Sequence, residues 1–434
     1  MGQDERTRLS FASVAVSFFI LIVLPLTITG ILISRGVVKV GEEATQANLR
    51  ILDDKQKHFI EVRTDNLAEA VAQFLEEREK DIRIATILPR DVKTYQTFLN
   101  SNARGVMKSA KVGVVKIPVP LYREIAFLDR SGKEVLKVTT SGKVPDYRLK
   151  DMSNPNNGEF GYEDYFLKAK TLSPGEFYMG PVVGRHVTRA EFEAGKHFDG
   201  IMRIAAPVFG PKGFAGVVEL ALNAVHLMEF TKHIIPTEPG FYATVDESKK
   251  DYAFMVDRNG FIISHPLDYL IGGVGPDMKP VPVMNEKNYD KLIKTGSGAM
   301  NVNYLGFLDE NFPKIVKLVS EGQSGSLTYA YRNTRMFVAY SPIPYYGNGF
   351  KRPAGFGWIG MLVDINKYHH LTQEKVKELQ KKVARWQKAS ITVVIVSLIL
   401  LFLIALILAR GIYRISGSTQ GEALPWDEDE GDRD

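Results

Sequence analysis

The sequence contains no cysteine. This absence excludes disulfide bonds, thiolate metal sites, cysteine nucleophiles and covalently attached haem of the usual kind. Also missing are the Gly-x-Ser-x-Gly elbow, the Gly-x-x-x-x-Gly-Lys phosphate loop, the His-Glu-x-x-His zinc motif and the protein-kinase motifs. We therefore predict a protein that is not an enzyme, with no catalytic residue, cofactor or metal. A hydrolase of envelope components stays open as an alternative, because a fold can bring acidic residues together without a local motif.

The charged residues are spread along the chain. The formal net charge is +5, and basic residues are interspersed with acidic ones except in the acidic tail, residues 410–434. Nucleic-acid-binding domains concentrate Lys and Arg on one face or along one helix. The sequence therefore predicts no nucleic-acid partner.

Two long stretches, residues 11–33 and 389–409, lack any charged side chain. Each is long enough to cross a hydrocarbon core about 30 Å thick. We predict transmembrane helices over residues 11–34 and 389–409. The first is interpreted as an uncleaved anchor, because its apolar run is longer than that of a signal peptide.

Two crossings place both ends of the chain on the same side of the membrane. Basic residues favour the cytoplasm for residues 1–10 and for the tail. Basic residues also flank the other ends of the spans, so the charge count alone does not fix the orientation. We predict a two-pass protein of the bacterial inner membrane, with the bulk of the chain periplasmic or extracellular.

Four segments are predicted between the spans. Residues 35–90 contain a single proline, Pro89, near their end, and they carry apolar residues at mostly helical spacing. This pattern predicts one long helix. An interrupted heptad pattern in it predicts that the helix mediates dimerisation. Two α+β modules follow, over residues 91–236 and 237–370, and a juxtamembrane helix covers residues 371–388. The start of the first module, to about Lys111, is predicted to be mainly helical.

A strand, an Asp-x-x-Gly turn and a second strand occur once in each module. The turns are Asp129 to Gly132 and Asp257 to Gly260. The repetition favours two similar α+β modules in series.

This layout resembles the double-Cache, or tandem PAS-like, extracytoplasmic sensors of bacterial chemoreceptors, histidine kinases and diguanylate cyclases. The resemblance covers about residues 34–410. It rests on the long first helix, Asp129 to Gly132 with Glu134, Tyr165 with Phe166, Leu172 to Tyr178, Arg203 to Val208 with Gly213 and Gly216, and Asp257 to Pro266. It implies an α+β fold in which two transmembrane helices flank a tandem PAS-like ectodomain with a long N-terminal helix.

In that family the membrane-distal module, here residues 91–236, usually holds a small molecule. The membrane-proximal module, here residues 237–370, and the last helix transmit the change. The resemblance implies a homodimeric receptor for signal transduction, as in chemotaxis. Neither a HAMP linker nor an output domain follows Arg410, so a separate signalling partner is expected. A ligand-free structural subunit of a membrane complex stays open as an alternative.

The acidic tail has two interpretations. Its acids, which include Asp427 to Glu430 and Asp432, are typical of a solvated, disordered segment. Alternatively, the tail docks on a basic partner protein that holds the output.

Candidate ligand-binding residues lie in the membrane-distal module. Aromatic side chains wall ligand clefts, and a charged group orients the ligand. The alternatives are core packing for the tyrosines and a strand-surface ion pair for the strand arginine. The candidates are Tyr162, Tyr165, Tyr178, Arg203, Arg148 and Asp164.

Amino-acid-binding members of the family carry an Arg two positions before an aromatic pair, and a later strand Asp. Here Tyr165 and Phe166 resemble the aromatic pair, so Glu163 stands at the Arg position and the Asp position falls near Ala221. Both charges are missing, which implies that the ligand is not a typical α-amino acid. A different acid could still pair with Arg203 or Arg148.

His226, Glu229 and His233 are spaced i, i+3 and i+7 on a predicted helix over residues 223–233. Metal ligands on a helix must face one way, as these three could. Because the spacing matches no recognised metal motif, we interpret them as a solvated polar face.

Overall fold

The computed structural model describes residues 16–17, 20–21, 24–110, 113–238, 240, 245, 250–331, 334–347 and 349–418. The predicted N-terminal segment 1–10 and the tail beyond residue 418 lie outside the described residues. The chain divides into two compact units, Met1–Asp53 with His370–Asp434, and Asp54–His369.

Long helices begin and end the described chain, and short helices lie between them. The helices are α1 (Leu24–Ile87), α2 (Val92–Ser101), α3 (Tyr165–Ala169), α4 (Arg189–Glu193), α5 (Val225–Lys232), α6 (Tyr289–Thr295), α7 (Asn311–Ser320) and α8 (Ile365–Ser418). The first helix ends before Pro89, since a residue that precedes proline is disfavoured in the helical conformation. The prediction of a long N-terminal helix is confirmed.

Thirteen strands lie among the described residues. They are β1 (Ala103–Ala110), β2 (Gly113–Pro120), β3 (Tyr122–Leu128), β4 (Glu134–Thr139), β5 (Gly142–Lys143), β6 (Tyr178–Arg185), β7 (Asp199–Gly210), β8 (Gly213–Asn223), β9 (Asp251–Asp257), β10 (Ile262–Ser264), β11 (Gly325–Tyr331), β12 (Thr334–Ile343) and β13 (Gly357–Asp364).

The strands form two large antiparallel sheets. The first has the order β5-β4-β3-β8-β7-β6, and the second has the order β10-β9-β13-β12-β11. Without the two-residue strand β5, the five strands of each sheet follow the same order, 2-1-5-4-3, when they are counted along the chain. The sheets are therefore two copies of one topology, as the sequence repeat predicts.

Both predicted Asp-x-x-Gly turns connect the first two strands of a sheet. Asp129 Oδ1 accepts the backbone N–H of Ser131 at 2.8 Å, and Asp257 Oδ1 accepts that of Asn259 at 2.9 Å. The turn glycine has a positive φ in each case, +103° at Gly132 and +88° at Gly260, which a side chain would disfavour. The Asp and the Gly thus fix both hairpins by the same physical means.

The first sheet is covered on both faces. Ile125, Ile204 and Leu220 point to one side and pack in an apolar cluster with residues of α1 and α2. Ala126 and Ala205 point to the other side and pack with Tyr165 and Phe166. Successive side chains of each strand therefore enter two different buried layers, one on each face of the sheet. The layer that contains Tyr165 and Phe166 also contains the candidate site.

The prediction of a mainly helical stretch up to about Lys111 is correct as far as Ser101 and wrong for residues 103–110. After α2, the chain forms a hairpin in which β1 pairs with β2 from Ala103↔Pro120 to Ala110↔Gly113. Arg104, Val106 and Lys108 stand at every second position of β1 and therefore share one face of the strand, so charged and apolar residues show no period-two alternation here. The segment is too short for the pattern to decide alone, and pairing with β2 fixes it.

Two segments of the terminal helices are long and apolar enough to cross a membrane by length and composition, Leu24–Gly41 and Gln380–Leu408. Within the unit that contains both, a Cβ built on Gly30 would lie 3.2 Å from Val394 Cγ2, and one built on Gly41 would lie 3.3 Å from Val383 Cγ1. Small residues thus allow the two helices to approach closely.

Candidate functional site

A cleft lies between the first sheet and the segment that covers it. Its cavity volume is about 240 Å³. The lining residues are Tyr162, Glu163, Asp164, Tyr165, Tyr178, Gly180, Pro181, Val183 and Arg203. We call this cavity the tyrosine cleft.

The segment that covers the sheet holds the carboxyl group of Glu163 at the cleft, because its backbone passes close to itself at Gly158 and Gly161. A Cβ on Gly158 would lie 2.5 Å from the carbonyl oxygen of Gly161 and 2.7 Å from Glu163 Cγ, so only glycine fits there. Glu163 is 5% exposed, and its Oε1 accepts the backbone N–H of Phe160 at 2.8 Å. Its other oxygen is therefore directed to a single partner.

That partner is Arg203, which is 4% exposed on β7. Its Nε donates to Glu163 Oε2 at 2.7 Å, and its Nη1 donates to Glu219 Oε1 at 2.8 Å and also to Glu124 Oε1. Glu159 approaches Nη2 only at 3.8 Å. Three buried carboxyl groups thus surround one guanidinium.

Lys137 and Glu134 complete this charged group. Lys137 Nζ lies 2.9 Å from Glu124 Oε1 and 3.1 Å from Glu134 Oε1. The Arg203 cluster, defined as Arg203, Lys137, Glu124, Glu134, Glu163 and Glu219, therefore contains two basic groups against four carboxyl groups.

The sheet register explains how the cluster forms. Arg203 pairs with Ala221, and Ala221 pairs with Glu124, so a methyl group separates the two charged side chains across three strands. In the next row, Lys137 pairs with Ala126, and Ala126 pairs with Glu219. The alternation of charged residues with alanine leaves room for long side chains to meet over small ones.

The buried carboxyl groups titrate differently. Burial opposes the charge of Glu124, but Arg203 and Lys137 outweigh this effect and lower its pKa to about 2. Burial raises the pKa of Glu219 to about 8, and its Oε2 has no hydrogen-bond partner among the described residues. Burial also opposes the charge of Arg203, yet the three carboxyl groups keep its pKa above the ordinary value. At neutral pH, Glu219 is thus mainly protonated and Glu124 is ionised.

Comparisons with known proteins found similarity only to solved structures, among them sensor and ligand-binding domains. No protein-family model and no curated protein matches the sequence. The ligand-binding domain of the Pseudomonas fluorescens chemoreceptor CtaA with L-isoleucine is 15% identical, with 74% of this chain and 98% of that chain covered at a TM-score of 0.39. The ligand-binding domain of the Pseudomonas aeruginosa amino acid chemoreceptor PctB with L-Arg is 13% identical. The match covers 73% of this chain and 98% of that chain, at a TM-score of 0.37. A Campylobacter jejuni chemoreceptor domain with 4-methylisoleucine is 9% identical, with 73% and 92% covered at a TM-score of 0.39.

The strand orders decide the fold. One long helix is followed by two sheets that share the PAS-like order 2-1-5-4-3. The chain has the double-Cache fold. The resemblance stated from the sequence is confirmed, and so is the α+β fold class with two apolar helices that flank the sheets.

Within the double-Cache fold, five of the six candidate residues lie around one cavity. Tyr162, Tyr165, Tyr178, Asp164 and Arg203 all line the tyrosine cleft. They stay candidates for contact with a ligand.

Arg148 is the sixth candidate and is not among the lining residues. It is exposed, and its guanidinium lies 5.5 Å from the ring centroid of Tyr147. Arg203 does form ion pairs, but these are buried in the sheet face and not on a strand surface. Arg203 is therefore held by buried carboxyl groups at the cleft, and Arg148 lies outside the lining of the cleft.

The carboxyl partners of Arg203 were missed by sequence reasoning. Glu124 and Glu219 stand among mostly buried residues of β3 and β8. A charged residue in such a strand needs an ion partner, since an unpaired buried charge is costly. This signal could have identified them, although not their common partner.

The interpretation of His226, Glu229 and His233 as a solvated polar face is wrong. His226 is 1% exposed and His233 6% exposed. His233 Nε2 lies 2.9 Å from Glu229 Oε1, and Glu229 Oε2 accepts the backbone N–H of Met107 at 2.9 Å. The β1–β2 hairpin, which the sequence did not predict, covers this face of α5. No group of three metal-ligating side chains occurs among the described residues.

A second cavity of about 720 Å³ lies beside α5. Phe198, Met228, His233 and Lys108 are among its lining residues, together with Val245, an isolated described position in the segment 239–249. None of the six candidate residues lines this second cavity.

Proposed function

We propose that this protein is a membrane-anchored sensor that binds a small molecule in the tyrosine cleft and passes a conformational signal to a separate partner. The observation that carries this proposal is the convergence of Tyr162, Tyr165 and Tyr178 with charged groups around one cavity of a double-Cache fold. Aromatic walls with a few polar groups are the usual composition of a small-molecule site. Residues 91–236 serve as the ligand-binding module.

The terminal helices provide the membrane anchor in this proposal. Leu24–Gly41 and Gln380–Leu408 are the candidate spans. Apolar side chains in them are exposed, as Leu32 is at 62% and Ile407 at 70%, which suits contact with lipid. We assign a two-pass topology in the bacterial inner membrane, with both sheets on the extracytoplasmic side.

Chain continuity supplies the route for the signal. Strand β13 ends at Asp364, and α8 begins at Ile365 and continues through the candidate span. A ligand that binds one arrangement of the sheets better than another shifts the population of that arrangement. We assign residues 237–370 as the transmitting module, and dimerisation to α1, where Ile51 and Val62 are exposed at 51% and 41%.

One observation favours a second candidate function. The tyrosine cleft is slightly smaller than the 300–1,000 Å³ that is typical of ligand sites, and the Arg203 cluster occupies the sheet face beneath it. A structural subunit of a membrane complex, with no ligand, would have such a filled module. Neither function requires catalysis.

A thermal-shift screen of the full chain in detergent, against organic acids, amines, purines and sugars, tests the proposal. The variant Gly180→Val fills the cleft, because a Cβ there would lie 3.3 Å from Tyr178 Cε1. Gly210→Val is the matched control on the neighbouring strand, where the nearest atom to a new Cβ is 3.9 Å away. We expect a ligand that stabilises the wild type and Gly210→Val but not Gly180→Val. A ligand that stabilises all three, or no stabilising ligand, would favour the structural subunit.

A further inference from the structure

We propose that the ligand of the tyrosine cleft is a small alkylammonium ion, recognised by tyrosine rings and by the carboxylate of Asp164. The inference rests on the proposed function and names the chemical class of the ligand. It follows from the sign of the charge around the cleft, from one carboxylate oxygen that lacks a partner, and from the aromatic walls.

Arg203 is the only basic side chain among the lining residues, and its charge is already balanced. Its hydrogen bonds go to Glu163, Glu219 and Glu124. A ligand carboxylate that approached Arg203 would also approach the ionised Glu124, and it would be repelled by that group in a medium of low dielectric constant. The arginine therefore neutralises its own surroundings and does not select an anionic ligand.

Asp164 is placed differently. Its Oδ1 accepts the hydroxyl of Tyr178 at 3.2 Å, and its Oδ2 has no hydrogen-bond partner among the residues that the structure describes. The side chain is half-buried at the edge of the cleft. With Glu163 bound to Arg203, Asp164 is the lining carboxylate that remains available to a ligand.

The aromatic walls favour the same sign of charge. Tyr162 is 67% exposed, and Tyr165 and Tyr178 close the cleft from the covering segment and from β6. The face of an aromatic ring is electron-rich and attracts ammonium groups, above all when water is excluded. The guanidinium of Arg203 already lies 5.4 Å from the ring centroid of Tyr165, so this ring accommodates a cation. The rings of Tyr162 and Tyr178 and the carboxylate of Asp164 together fit an organic cation of modest size.

Isothermal titration of the full chain in detergent tests the class of ligand. The probes are choline, its neutral carbon isostere dimethylbutanol and the related anion dimethylbutanoate, with n-butylammonium as a primary amine. We expect choline or n-butylammonium to bind at least about tenfold more tightly than the neutral isostere, because a charged contact adds upward of 1.4 kcal/mol. Dimethylbutanoate is expected to bind weakest.

Two isosteric variants locate the effect. Asp164→Asn keeps the acceptor for Tyr178 and removes the charge, so it should weaken ammonium binding about tenfold or more. Asp146→Asn is the matched control, because Asp146 is an exposed acid that pairs with Lys143 at 2.8 Å away from the lining residues. It should leave binding unchanged.

Each other outcome overturns the inference in a distinguishable way. Equal binding of dimethylbutanol, tighter binding of dimethylbutanoate, or no binding of either ammonium probe at millimolar concentration would refute the cationic ligand. The proposed function would survive these results if Gly180→Val abolishes binding of whichever ligand the screen identifies. Ammonium binding that is unchanged in both Asp164→Asn and Gly180→Val would refute both the ligand class and the cleft.

Discussion

The guanidinium of Arg203 and the carboxylate of Glu124 form an ion pair across the methyl side chain of Ala221. The three residues stand in one row of the sheet, on β7, β3 and β8, with Ala221 on the middle strand. The resemblance to amino-acid receptors would place an aspartate near this middle position. The small side chain of Ala221 instead allows Arg203 to contact Glu124. The same row therefore explains how the buried cluster forms.

Removal of the arginine should leave Glu124 without its main counter-charge, and Glu163 and Glu219 without a buried hydrogen-bond donor. We expect Arg203→Met to lower the free energy of unfolding by about 3–5 kcal/mol, which is typical when one partner of a buried ion pair is removed. Urea unfolding of the full chain in detergent, followed by tyrosine fluorescence, measures the loss. Arg148→Met is the matched control, since Arg148 is exposed, and should change stability by less than about 0.5 kcal/mol. Equal effects of the two substitutions would contradict the assigned role of Arg203.

Glu219 should make stability depend on pH. Burial raises its pKa from 4.5 to about 8, so the folded state binds a proton more tightly than the unfolded state does. This contribution to stability is present in full below the unfolded pKa and is lost as the pH rises through the folded pKa. Glu124, with a pKa of about 2, stays ionised over this range.

The measurement compares the melting temperature of the wild type with that of Glu219→Gln between about pH 5 and pH 9. We expect the wild type to lose more stability than the variant as the pH rises, because glutamine cannot ionise. Histidines elsewhere in the chain affect both proteins equally. Parallel profiles would show that Glu219 does not titrate in this range.

Ala221 should tolerate no larger apolar residue. Ala221→Leu would place a branched side chain between Arg203 and Glu124, and overpacking of a buried site costs about 1–3 kcal/mol. Ala215→Leu, on the same strand but only half-buried, should cost less. Thermal denaturation of both variants provides the comparison, and an equal loss in the two would contradict the close contact across Ala221.

The sequence predicts contacts between residues that lie close together in the chain, and it does not predict contacts between residues that lie far apart. The hairpins at Asp129 and Asp257 were predictable, because the turn residues and the alternating strands are adjacent in sequence. The pairing of Arg203 with Glu124 was not, since 79 positions separate them and the contact depends on the register of three strands. The candidate tyrosines were found by their resemblance to a family pattern.

The failures follow the same rule. The segment 103–110 shows no period-two alternation of charged and apolar residues, and only its pairing with residues 113–120 makes it a strand. That hairpin then buries the face of α5 that carries His226 and His233, which the local pattern had indicated to be solvated. Both errors arise from a tertiary contact that no local window contains.

The close packing of the terminal helices can be tested by cross-linking, because the natural sequence has no cysteine. A Cβ on Gly30 would lie 3.9 Å from Val394 Cβ, which is within the range of disulfides. We expect Gly30→Cys with Val394→Cys to form an intramolecular disulfide under mild oxidation. Gly36→Cys with Val394→Cys is the control and should not, since a Cβ on Gly36 has no neighbour within 4 Å. A disulfide in the control alone would contradict this helix pairing.

The most direct test of ligand binding outside the membrane uses one cysteine at the cleft. Pro181 is exposed and lines the tyrosine cleft, so Pro181→Cys provides a single reactive thiol there. A membrane-impermeant maleimide should label it in intact cells, and choline should slow the labelling. Ser320→Cys, on the exposed face of α7, should be labelled at a rate that choline does not change. Labelling of Pro181→Cys only after the cells are permeabilised, or at the same rate with and without choline, would contradict an extracytoplasmic sensor for an alkylammonium ligand.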